Sequence, residues 1–125
     1  MKLDKDLVRE ILLAIEASKN DPKEEIDLVL KNRSPREISY HVLLLTEAGF
    51  VLSRDAFPTH NTSFWQPTRL TYTGHEFLDT VRDGEVWELT KNGAEKVGSA
   101  SLSLMLELGK AYGKQVLKER LGIEL

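Results

Sequence analysis

Lys31, Arg33 and Arg36 place three cations within six positions. Such a cluster can hold phosphate oxygens, above all where it opens a helix whose first N–H groups point outward. The segment Ser34-Pro35-Arg36-Glu37 supplies that opening, a capping box with proline at the first helical position. With Ile38 facing inward, Ser39, Tyr40 and Leu43 fall on the outward side, where they would approach base edges if the helix entered a major groove. Arg54, His60 and Asn61 follow in a polar stretch and could reach the sugar-phosphate backbone or the minor groove. The same surface supports a second reading. Tyr40 and Leu43 exposed together, with Trp65 beyond them, would make an apolar patch that suits a protein partner.

The overall charge weighs against duplex binding. The chain carries 17 Lys and Arg against 20 Asp and Glu, a net charge of −3. Residues 1–50 hold eight basic and ten acidic side chains. Nucleic-acid binders draw most of their affinity from phosphate contact and counterion release, so DNA contact here must rest on a local patch.

Other chemistry finds less support. His75-Glu76-Phe77-Leu78-Asp79 is close to the zinc-hydrolase pattern of two histidines four apart, but Asp79 stands where the second histidine belongs. No third ligand is evident, and the three histidines, His41, His60 and His75, lie in different elements without ligand spacing. His41 is expected to pack in the core, with a ring nitrogen bonded locally. No nucleophile-elbow pattern and no phosphate-cradling glycine loop is present. The acidic residues sit at helix starts or on polar faces, which suits solvation better than acid–base catalysis. The expectation is a non-enzyme without cofactor or metal.

These residues need elements to position them. At 125 residues, 41% hydrophobic and 30% charged, the chain suits one globular domain with a sizeable core. There is no cysteine, which excludes disulfides and fits a reducing compartment. No apolar core follows Lys2 as in a secretion signal, and no apolar run approaches the roughly 20 residues that cross a bilayer. A cytoplasmic address is expected.

Residues 4–18 predict a helix, from Leu7, Ile11, Ala14 and Ile15, with Val8 and Leu12 widening the stripe. In 25–30, Ile26, Leu28 and Leu30 alternate with Asp27 and Val29 and favour a short strand; Asp21-Pro22-Lys23-Glu24 would alternatively cap a short helix. Residues 34–48 predict the clearest helix, with Ile38, Val42 and Leu45 inward and Gly49 as its left-handed stop. Phe50-Val51-Leu52 and Phe64 to Tyr72 predict two strands of a hairpin, with a loop-like stretch from Ser53 to Pro67 as its long tip. Thr73-Gly74-His75-Glu76 predicts a capping box opening the next helix, weakened at Asp83-Gly84. Asn92-Gly93 and Gly98-Ser99 are punctuation. A last helix is expected over 101–121. Its face of Leu102, Met105, Gly109, Tyr112 and Val116 could cover the domain's own core or form a homodimer seam.

A helix running directly into a two-stranded ribbon is the winged-helix plan. Residues 37–51, ending Leu45-Thr46-Glu47-Ala48-Gly49-Phe50, resemble the recognition-helix segment of winged-helix regulators. Arg69 to Leu78 resembles the strand that closes a wing and the helix after it. More specifically, Asp6-Leu7-Val8-Arg9-Glu10-Ile11-Leu12, Tyr40-His41, Leu44-Leu45, Thr68-Arg69-Leu70-Thr71, Gly74-His75-Glu76-Phe77-Leu78-Asp79 and Val86-Trp87 resemble the domain of unknown function 2513 family. That family is bacterial and often prophage-encoded. The resemblance implies a winged-helix-like fold and carries no established activity or functional residues.

The sequence therefore predicts an α+β winged-helix domain over 1–98, with a small antiparallel sheet as its wing, and an added C-terminal helix over 99–125. A standard helix-turn-helix has a supporting helix before the recognition helix; the short span before Ser34 leaves that motif degenerate. The leading expected function is a transcription regulator on double-stranded DNA, with Lys31, Arg33, Arg36 and Arg54 on phosphates and Ser39 and Tyr40 toward bases. The alternative is a protein-interaction module using Tyr40, Leu43 and the wing aromatics.

Overall fold

The computed structural model describes residues 1–56, 64–99 and 101–122. Among them are five helices and one two-stranded antiparallel sheet, so the class is α+β. The order is α1 (Lys5–Ala17), α2 (Pro35–Glu47), β1 (Val51–Asp55), β2 (Trp65–Leu70), α3 (Tyr72–Val81), α4 (Gly84–Lys96) and α5 (Leu102–Leu121). The chain divides into two compact units, Met1–His75 and Glu76–Leu125. The division falls inside α3, whereas the sequence boundary at 98/99 falls within the second unit.

In the first unit, α1 is capped by Asp4, whose side chain accepts the Leu7 N–H, and buries Leu7, Val8, Ile11, Leu12 and Ile15. Five apolar residues on one stripe give it a reason to lie against α2 and the sheet. Helix α2 carries the full capping box: the Ser34 hydroxyl accepts from the Glu37 N–H, and the Glu37 carboxylate accepts from the Ser34 N–H. Gly49, at φ +83, ends it in the left-handed region, where a side chain is strained. The Phe50 N–H then donates back to the Leu45 carbonyl, and β1 begins one residue later.

Strands β1 and β2 pair from Val51↔Leu70 to Asp55↔Trp65, with a register shift between Leu52 and Ser53. Ser53, Arg54 and Asp55 are thus ladder residues, not part of a loop-like tip, and Trp65-Gln66-Pro67 belong to the second strand expected from Phe64 onward rather than to the tip that overlapped it. Tyr72 belongs to α3, not to the strand.

Residues 25–30 are neither the strand nor the short helix that the sequence allowed. The alternation itself holds: Ile26 is buried, Leu28 and Leu30 are half-buried, and Asp27 and Val29 are exposed. The Ile26 N–H donates to the Pro67 carbonyl at 2.8 Å. Pro67 has no N–H to return, so a reciprocal ladder cannot form there.

Helix α3 is capped two residues earlier than Thr73-x-x-Glu76 suggests. The Thr71 hydroxyl accepts from the Gly74 N–H at 3.1 Å, and the His75 N–H closes the first turn on the Thr71 carbonyl. Gly74 lies against the Phe50 carbonyl, in a space that a Cβ would fill. In the second unit Asp83 does more than weaken a helix: its carboxylate caps α4 at the Glu85 and Val86 N–H groups. Asn92-Gly93 lies inside α4 and does not punctuate it. Helix α5 packs along α4.

Candidate functional site

Of the residues expected to face a ligand, Lys31 and Arg33 precede α2, Arg36, Ser39, Tyr40 and Leu43 lie on it, and Arg54 lies on β1; the structure sorts them into different environments. Arg33 is not presented outward. Its side chain is 18% exposed and bonds the carboxylate of Asp4 at 2.6 Å and that of Glu10 at 3.0 Å, with Glu37 at 3.9 Å. Burial pushes the Asp4 carboxyl up, but the Arg33 hydrogen bond, the Leu7 N–H and the Arg33 charge outweigh it and hold the group below the usual carboxylate range. The two closest partners, Asp4 and Glu10, come from the cap of α1 and from α1, 29 and 23 residues away in sequence, so local charge counting could not reveal them.

Ser39 is also turned inward. It is buried, and its hydroxyl accepts the backbone N–H of Trp65 at 2.8 Å. The expectation that Ser39 lies outward assumed one buried stripe. Helix α2 instead packs against α1 and against the hairpin, so its buried arc is wider. Arg54, expected at a phosphate, donates to the Lys23 carbonyl at 2.8 Å and to Glu25 at 3.3 Å, tying β1 to the 23–25 segment. Tyr40 and Leu43 are half-buried, with the Tyr40 ring edge-on to His41 at 5.9 Å. Lys31 and Arg36 are exposed. His60 and Asn61 lie outside the described residues.

His41 fills the core role expected for it. The ring is fully buried; Nε2 accepts the Asp4 N–H at 2.8 Å, and Nδ1 lies 2.9 Å from the Glu37 carbonyl. A backbone N–H can only donate, so Nε2 is the bare nitrogen and Nδ1 carries the hydrogen.

Between the 26–28 segment, the start of α2 and β2 lies an apolar groove of about 200 Å³. Ile26, Leu28, Pro35, Ile38, Phe64, Trp65 and Pro67 line it, with Asp27, Ser39 and Gln66 as the polar liners. Phe64 and Trp65 are half-buried, and Asp27 is exposed. Of these, only Trp65 was singled out by the sequence as an exposed anchor. The alternation of Ile26 and Leu28 told which way they face but not that α2 and β2 leave a gap beside them.

In the second unit, the α5 face proposed as a dimer seam is largely used internally. Leu102, Met105, Gly109 and Val116 are buried. A Cβ on Gly109 would meet Thr80 Oγ1 at 2.9 Å, and one on Gly93 would meet the Tyr112 hydroxyl at 2.9 Å. Among the described residues no group of three or more His, Asp or Glu could hold a metal ion, and no helix is long and apolar enough to cross a membrane.

Comparison with known proteins adds lineage. The chain is 30% identical over 121 residues to an uncharacterized protein of Haemophilus influenzae, covering 97% of this chain and 99% of that one. No solved structure matches it. The profile of the family described as hypothetical protein DUF2513 matches residues 2–101, and the chain belongs to that family.

Proposed function

We propose that this chain is a non-catalytic protein-interaction module of the bacterial cytoplasm, built on a winged-helix-like scaffold. The observation that carries the reading is the apolar groove beside α2, walled by Trp65, Phe64, Ile38 and Leu28. Half-exposed aromatic residues at a concave apolar surface are the usual anchors of protein recognition. Two residues expected at DNA are turned into the protein, Arg33 by carboxylates and Ser39 by Trp65, while Arg54 stays exposed but is paired with Glu25 and the Lys23 carbonyl. Residues 1–75 hold ten basic and eleven acidic side chains, so the unit presents no cationic surplus.

A photo-crosslinking residue at Gln66, in bacterial cells that carry the protein, tests this. A discrete protein adduct that disappears in Leu28→Asp is expected. Crosslinking that is unchanged by Leu28→Asp overturns the groove as the binding surface.

The second reading is a DNA-binding regulator. The exposed Lys31 and Arg36 at the start of α2 favour it. It requires duplex affinity that falls steeply with salt and weakens in Lys31→Ala/Arg36→Ala. No measurable affinity for a random duplex pool at low salt removes it.

A further inference from the structure

We infer, resting on the interaction reading above, that the groove takes one large apolar side chain from a helix of the partner protein, with a partner cation beside it meeting Asp27. The volume argues first. About 200 Å³ is below the roughly 300–1,000 Å³ of pockets that enclose whole small ligands. It suits a single anchoring side chain, and its walls are mostly hydrocarbon and aromatic.

The hydrogen bonding of β2 decides the partner's backbone. An extended peptide normally gains affinity by adding a strand to a free sheet edge. Here the outer edge of β2 offers no donor beside the groove. The Trp65 N–H is held by the Ser39 hydroxyl, Pro67 has no N–H, and the Pro67 carbonyl already accepts from Ile26. An incoming strand would find no free donor at either residue and would leave its own carbonyls unpaired at the contact. A helix satisfies its backbone internally and needs only side chains to dock.

Charge then selects the partner's neighbouring residue. Asp27 is the one charged residue among the described liners, is exposed, and has no ion-pair partner among the described residues. The nearby Glu25 is already paired with Arg54. A lysine or arginine three or four positions from the anchor lies on the same helix face and would reach Asp27.

Two display libraries of matched composition test this, one randomising the face of a helical scaffold and one a β-hairpin. Both are selected against the full chain, and binders are measured by fluorescence anisotropy. The expected binders come from the helical library and carry an aromatic residue or leucine with Lys or Arg three or four positions away. Asp27→Lys should weaken them about tenfold, and Lys→Glu in the binder should restore affinity to that variant. Groove binders drawn only from the hairpin library, or helical binders indifferent to Asp27→Lys, overturn this inference and leave the interaction reading standing. If neither library yields a binder weakened by Leu28→Asp, the groove is not a binding surface and both fall. Circular dichroism of each variant confirms that it is folded.

Discussion

His41 Nε2 accepts the backbone N–H of Asp4 at 2.8 Å, joining residues 37 positions apart. The bond fastens the first turn of α1 to the middle of α2 at a fully buried ring. His41→Leu fills similar space but leaves the Asp4 N–H without its acceptor. A cost of about 1–3 kcal/mol is expected, the range for a buried polar group deprived of its partner. Urea unfolding followed by Trp65 fluorescence, in a Trp87→Phe background, measures it, since Trp65 lies in the first unit. An unchanged midpoint would show that the bond contributes nothing.

Arg33 and Arg36 should separate cleanly. Arg33→Ala removes contacts to Asp4, Glu10 and Glu37 and should destabilise the first unit by about 1 kcal/mol, since part-exposed ion pairs contribute at that level. Arg36→Ala, at an exposed position, should leave the unfolding midpoint unchanged. Equal effects from the two would contradict the environments described here. The contrast also means that loss of any ligand in Arg33→Ala cannot be read without a stability control.

Gly109 and Gly113 stand four apart on α5 and should respond oppositely to alanine. At Gly113 an added Cβ meets nothing within 4 Å, so the gain in helix propensity should stabilise by about 0.5–1 kcal/mol. At Gly109 the same methyl would press on Thr80 and Val81, and the net effect should be a loss of about 1 kcal/mol or more. Thermal unfolding followed at Trp87 distinguishes the two signs.

Acid stability of the second unit should depend on Asp83. The Arg120 hydrogen bond is the largest influence on its carboxyl, with the Val86 N–H next, and together they lower it from an ordinary 3.8 to about 2. A group whose folded value is depressed stabilises fully above its unfolded value and loses that contribution as pH falls through the folded one. The loss should therefore run from about pH 4 down to about pH 2. Asp83→Asn keeps a capping side chain but removes the charge, so its unfolding midpoint should change less across that interval. Identical pH profiles for the two proteins would mean that the Arg120 contact does not stabilise the folded state.

Three sequence features account for most of what was readable in advance. Ser34-Pro35-Arg36-Glu37 and Gly49 bracketed α2 because caps act on groups one turn away. The 3.6-residue stripe of α1 was equally local, whereas Ser101, expected as the first residue of the last helix, is its cap. The Thr73-x-x-Glu76 motif misplaced a cap because Thr71, two residues earlier, could make the same bond once Gly74 was needed against Phe50. The alternation at 26–30 was real, but Pro67 on the neighbouring strand denied it a ladder.

What the sequence determined by itself is mostly what depends on neighbours within about four positions, the helices and their ends; the hairpin was legible from the order of its two β-favouring runs, and the family from motifs spread along the chain. What only the tertiary structure decided is which polar and charged groups remain available. Arg33 is taken by Asp4 and Glu10, Ser39 by Trp65, and Arg54 by Lys23 and Glu25, all across gaps of more than twenty residues. Hydrogen bonds and ion pairs are short-ranged in space, not in sequence, so the face of α2 that looks free on a helical projection is set by what folds against it.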